Sequence, residues 1–152
     1  MNTPSATFTS EPSGAESRTC VWRLARHARS VGRARGRFRS QAGRWRLAED
    51  ATETAVLLLS ELVTNAVRHS RVPGRHVEVR CVLTEAALRV EVSDAGHGVP
   101  VLREADDEDE SGRGLALVAA LAQKWGVLPR LHGIGKTVWC EIALRRAQRA
   151  SS

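Results

Sequence analysis

The widest apolar stripe in the chain lies between about Ala48 and Ser70, where Leu58, Leu59, Leu62, Val63, Ala66 and Val67 recur at helical spacing. The spacing predicts one long helix, closed by Pro73 and Gly74 shortly after its last periodic residue. A weaker helical pattern runs from Arg26 to about Ala42 through Ala28, Val31, Ala34 and Phe38, with Gly32 and Gly36 counting against it. The CVWRLA segment that follows Thr19 reads as a short strand. His76–Leu83 and Ala87–Ser93 alternate with period two and are joined by Thr84, Glu85 and Ala86, which predicts an antiparallel pair. Helical spacing resumes from Leu115 to Lys124. Trp125–Leu128 and Lys136–Leu144 are the last two predicted strands, with a turn region from Pro129 to Gly135 between them.

Strand pairs joined by short turns, interleaved with amphipathic helices, imply an α+β two-layer sandwich. The expected sheet is mixed but mostly antiparallel and covered on one face by helices. Residues 1–17 are rich in Ser, Thr, Pro, Gly and Glu, with Phe8 their one aromatic residue, so they cannot bury enough surface to offset the entropy of ordering. The expected organisation is a disordered tail over 1–17, a single domain over 18–146 and a short tail over 147–152. At 152 residues and 42% hydrophobic content the chain can build one substantial core.

No stretch of eighteen or more apolar residues is present, and the N-terminal segment lacks the basic head and apolar run of a secretory signal. A soluble cytoplasmic protein is expected. Cys20, Cys81 and Cys140 each sit in a run patterned like a buried strand, which favours free core thiols. The five histidines show no metal-ligand spacing with one another or with cysteine, which weighs against zinc. Charge changes the picture more. The net charge is +6, residues 18–46 hold ten arginines and no acidic residue, and residues 104–110 read EADDEDE. Such asymmetry points to charged partners at distinct faces.

Three segments carry candidate chemistry. Glu61 and Asn65 stand four apart in the long helix, so their side chains share a face and can reach one ligand; a solvated polar pair is the competing reading. In VEVSDAGHGVP, Asp94 ends a strand and Gly96 and Gly98 follow, so a carboxylate acceptor would stand beside backbone able to turn sharply against a ligand. In SGRGLALVAAL, Gly112 and Gly114 are expected directly before a helix, whose exposed N–H groups and dipole favour an anion. The GKT at 135–137 is not a phosphate-binding P-loop, because the upstream glycine spacing is missing and it opens a strand.

In this order and at these separations, the three segments resemble the N-box and the two glycine boxes of the superfamily that holds gyrase, chaperone, histidine-kinase and mismatch-repair ATPases, which shares the Bergerat fold. The wording SELVTNAVRHS, VEVSDAGHGVP, GRGLALVAALAQKWGV and GKTVWCEI is similar to that of the anti-sigma-factor serine/threonine kinases of that superfamily, over about residues 19–145. The resemblance implies ATP and Mg2+ as cofactors. Asn65 would coordinate the magnesium, and Glu61 would be the catalytic base or orienting group for an incoming hydroxyl. Asp94 would accept the adenine amino group, with Gly96 and Gly98 closing over the ring and Thr137 supporting the same contact. Gly112, Arg113, Gly114 and Leu115 would wrap the phosphates, and residues 99–111 would be a short acidic lid.

By the same resemblance the partners would be an anti-anti-sigma protein, as phosphorylation substrate, and a sigma factor; a homodimer is compatible with it, and no membrane is involved. Two other readings stay open at this point. One is a nucleotide-dependent partner-binding module without phosphoryl transfer. The other is a nucleic-acid-binding module built on the arginine-rich helix, against which the scarcity of stacking aromatics weighs.

Overall fold

The computed structural model describes residues 18–69, 76–94, 110–129 and 136–144. The elements in chain order are β1 (Arg18–Ala25), α1 (Arg29–Trp45), α2 (Glu49–His69), β2 (His76–Leu83), β3 (Ala87–Asp94), α3 (Glu110–Leu121), β4 (Lys124–Pro129) and β5 (Lys136–Ala143). The strands form one five-stranded sheet in the order β1-β2-β3-β5-β4. Every pairing among them is antiparallel. This is the expected α+β layering, with the described sheet antiparallel throughout where a mixed one was expected.

Strand alternation sorts the residues to two faces. One face carries Val79, Val92, Val138 and Val127 in one cross-strand row, and Cys20, Cys81, Val90, Cys140 and Trp125 in the next. These rows join the core together with Leu58, Leu59, Leu62, Val63 and Ala66 of α2 and Phe38 of α1. Burying such aliphatic side chains contributes about 1.5–3 kcal/mol each, which is what holds the helical layer to the sheet. The helix α2 lies along β2, β3 and β5, with α1 and α3 packed beside it.

The end of α1 and the start of α2 are set by identifiable chemistry. Within α1 the buried positions are Ser30, Ala34, Phe38, Ala42 and Trp45, a single stripe at intervals of three and four. Its end is a left-handed turn in which Arg46 N–H donates to Gly43 O at 3.1 Å and Leu47 N–H to Ala42 O at 2.9 Å, the Schellman arrangement. Glu49 and Asp50 occupy the first turn of α2, where a negative charge complements the helix dipole. Two ties fix α1 to α2. Arg39 forms an ion pair with Glu53, which pulls the Glu53 carboxyl below its ordinary pKa, and Arg35 Nη1 donates to Ser60 Oγ at 3.3 Å.

Three boundaries differ from the expectation. The first helix spans Arg29–Trp45, three residues later than its pattern suggested, because Trp45 supplies a last buried anchor. Lys124 opens β4 and does not close the preceding helix. The third difference bears on function. The helix α3 begins at Glu110, so Gly112, Arg113, Gly114 and Leu115 lie inside its first turns, not in a loop before it. Glycine costs a helix only about 1 kcal/mol per residue, and packing of α3 on α2 offsets a local penalty of that size. The expected tails, Gly96, Gly98 and most of the acidic segment lie outside the described residues.

Candidate functional site

Asp94 is the last residue of β3 and belongs to the helix-facing side of the sheet, where alternation continues from Val90 and Val92. Its residue exposure is only 1%. A carboxylate so placed has left water at a strand end, a cost that is compensated only by charge or hydrogen-bond partners. One partner is the ammonium of Lys136, the first residue of β5, whose Nζ stands 3.6 Å from Asp94 Oδ1. The two are direct partners in the β3–β5 register.

The same register decides where Thr137 goes. It is paired with Ser93, and the two hydroxyl oxygens are 2.7 Å apart. Successive strand residues point to opposite faces, so Thr137 stands on the side of the sheet away from the helices, and Asp94 on the side toward them. The structure therefore does not bring Thr137 to Asp94. It brings Lys136 there, a residue of the GKTVWCEI segment to which the motifs assign no role. The alternation of VEVSD against KTVWC would have revealed this only with the register in hand.

Glu61 and Asn65 both lie on α2, the helix that packs along β3 and β5. Asn65 is 4% exposed, and its side-chain Nδ2 has no hydrogen-bond partner among the described residues. Nearly all buried polar groups in folded proteins find a partner, so an amide Nδ2 without one among the described residues, on the helix that covers the sheet, is a donor suited to an acceptor oxygen of a polar ligand. Glu61, one turn earlier, is half-buried and engaged in an interaction of its own. A nucleotide with its metal fits this donor set. It offers phosphate oxygens and metal-bound water to the Asn65 amide and an exocyclic amino group to the Asp94 carboxylate. Among the described residues no group of three or more His, Cys, Asp or Glu is arranged to hold a metal, so a magnesium ion here would take its remaining ligands from phosphate and water.

Of the glycine-box residues, the structure places Gly112, Arg113, Gly114 and Leu115 at the start of α3, which packs against α2. Only the first four N–H groups of a helix lack intrahelical partners, so in a helix that begins at Glu110 the backbone N–H of Gly112 belongs to the anion-favouring end, while those of Arg113, Gly114 and Leu115 fall within the helical ladder. Gly96 and Gly98 fall outside the described residues.

The three thiols stand apart from these groups. Cys20 of β1 faces Cys81 of β2 across the strand pair, and all three cysteines are free. A thiol hydrogen bond between Cys81 and Cys20 lowers the Cys20 pKa and raises that of Cys81 well above the usual thiol range. Burial pushes the Cys140 thiol up to about 12.

Comparison with known proteins bears on the same residues. Residues 24–141 match the family described as the histidine kinase-like ATPase domain. An uncharacterized protein from Streptomyces coelicolor is 41% identical over 88 residues, spanning 56% of this chain and 81% of that relative. Among solved structures, the RsbU and RsbW domains of Rv1364c from Mycobacterium tuberculosis superpose with a TM-score of 0.66 at 19% identity. That match covers 89% of this chain but only 35% of the larger one, and it speaks to the fold. Among the described residues no helix is long and apolar enough to cross a membrane.

Proposed function

Because the chain belongs to the histidine kinase-like ATPase family, we propose that it binds Mg-ATP between α2 and the β3–β5 strands and phosphorylates a serine or threonine of a protein partner. The observation that carries this reading is a buried strand-end carboxylate, Asp94, together with a buried Asn65 whose Nδ2 has no partner among the described residues, on the helix laid over that strand. Bound Mg-ATP supplies the phosphoryl group and the metal charge that stabilises its transfer.

The chain's own residues then divide the work. Asp94 accepts from the adenine amino group and so selects the base. Asn65 would meet the metal with its carbonyl Oδ1 and donate to a phosphate oxygen from Nδ2, the donor that has no partner among the described residues. Glu61, one turn from Asn65, takes the proton of the incoming hydroxyl or orients it. Gly112, Arg113, Gly114 and Leu115 present the start of α3 to the phosphates, and Gly96 and Gly98 let the chain close over the ring.

The wording of the motifs supports an anti-anti-sigma protein as substrate and a sigma factor as second partner, in the cytoplasm where both would be met. The arginine-rich α1, with Arg29, Arg33, Arg37 and Arg44 all exposed, is suited to acidic protein surfaces. The test uses labelled ATP, magnesium and a candidate anti-anti-sigma partner. Label should appear on the partner and vanish with Glu61→Ala, while Mg-ATP still raises the melting temperature of that variant. Asp94→Asn should blunt the thermal shift itself. A wild-type protein whose melting temperature ignores Mg-ATP would remove the nucleotide reading. Binding without transfer would leave a nucleotide-dependent partner-binding module.

A further inference from the structure

Lys136 lies in the GKTVWCEI wording but the family resemblance gives it no role, yet its ammonium is buried beside the Asp94 carboxylate at the proposed base pocket. Its side chain is 4% exposed and that of Asp94 is 2% exposed, and the two stand 3.6 Å apart at the same end of the sheet. They share the helix-facing side with Val92 and Val138, their next neighbours on that face. Replacing a buried ion pair by apolar residues is often neutral or stabilising, so stability alone is a poor reason for a lysine in this place.

The pair offers a carboxylate acceptor beside an ammonium donor. The Watson–Crick edge of adenine offers the complement, the N6–H donor beside the N1 acceptor. Guanine reverses that order, with the O6 acceptor beside the N1–H donor. We propose that Lys136 is a base-reading residue that donates to adenine N1 while Asp94 accepts from N6. Adenine is thus recognised by two adjacent atoms of opposite character. Thr137 takes no part in this contact, because its hydroxyl is engaged with Ser93 on the opposite face of the sheet. This inference rests on the ATP-binding reading above and sharpens it from one reading residue to two.

Calorimetry on the full chain tests it with ATP, GTP and 1-deaza-ATP, which keeps the amino group but lacks the N1 acceptor. Wild type should bind 1-deaza-ATP about tenfold to a hundredfold more weakly than ATP, the factor expected for losing one hydrogen bond to a charged group. GTP should bind at least as weakly as 1-deaza-ATP. Lys136→Met should bind ATP and 1-deaza-ATP with the same reduced affinity, so that the variant no longer senses N1. Equal wild-type affinity for ATP and 1-deaza-ATP would overturn the assignment, and so would a folded Lys136→Met that keeps the full preference for ATP. The first of these comparisons needs no variant and so survives a variant that does not fold. Failure of folded wild type to bind any adenine nucleotide would instead count against the ATP-binding reading itself.

Discussion

On the side of the sheet away from the helices, a single arginine organises its neighbours. Arg89 Nε donates to Glu91 Oε2 at 2.8 Å and Nη1 to Glu141 Oε2 at 2.7 Å, and its guanidinium lies 4.0 Å from the centre of the Trp139 ring. Gly126, the direct partner of Trp139 in the β4–β5 register, also lies against that ring. A methyl group at residue 126 would meet Trp139 ring atoms at 3.0 Å, and the ring is only 3% exposed, so it has little room to retreat. Gly126→Ala should therefore destabilise the protein by about 1–3 kcal/mol, read as a lower urea midpoint with an unchanged slope. Legibility at this scale was uneven. Asn65 and Asp94 announced themselves by motif, and both prove buried in an apolar layer. Lys136 did not, because which of two adjacent residues shares a face with Asp94 depends on cross-strand register, and register is a long-range property.

Among the elements, α1 shows how a boundary is set by backbone geometry. Arg46, just past its end, has φ 58° and ψ 39°, and it is the one non-glycine residue with positive φ among the described residues. That conformation costs a side-chain-bearing residue roughly 1–2 kcal/mol, which glycine escapes. Arg46→Gly should raise stability by about 0.5–1 kcal/mol, since part of the gain is returned through the greater freedom of glycine in the unfolded chain. Thermal or urea denaturation would measure it, and a loss of stability would mean that the Arg46 side chain contributes more than its backbone strain costs. The long helix α2 was legible because its apolar stripe is continuous from Ala51 to Ala66. The start of α3 was not legible. Gly112 and Gly114 look like a loop to any local criterion, and only packing against α2 accounts for a helix there.

At the scale of the whole molecule, the two-layer arrangement was legible from strand pairing and helix periodicity together, whereas the position of β5 inside the sheet was not, because no local signal distinguishes an inner antiparallel strand from an outer one. The enclosed thiol row has a consequence for global stability. Folding raises the Cys140 pKa from 9.0 to about 12 because the buried site disfavours the thiolate. Between those values the unfolded chain has released a proton that the folded one retains, so this contribution is intact below pH 9 and fades as pH climbs toward 12. For one proton the slope is at most about 1.4 kcal/mol per pH unit. Denaturation midpoints measured at pH 8, 9.5 and 11 should fall in that order, and Cys140→Ala should show a shallower fall. A variant with the same pH slope as wild type would show that other groups control alkaline unfolding.

The strand β5 is the last described strand of the chain, yet it sits between β3 and β4. As the polypeptide leaves the ribosome, the hairpin of β2 and β3 can close early, but the inner edge of β3 stays bare and β4 has nothing to pair with until residue 143 has emerged. Throughout that interval Val90 and Val92 line an incomplete sheet edge that could template pairing with another chain. Translation stalled between β4 and β5 would therefore yield a nascent chain prone to aggregation, not a smaller folded domain.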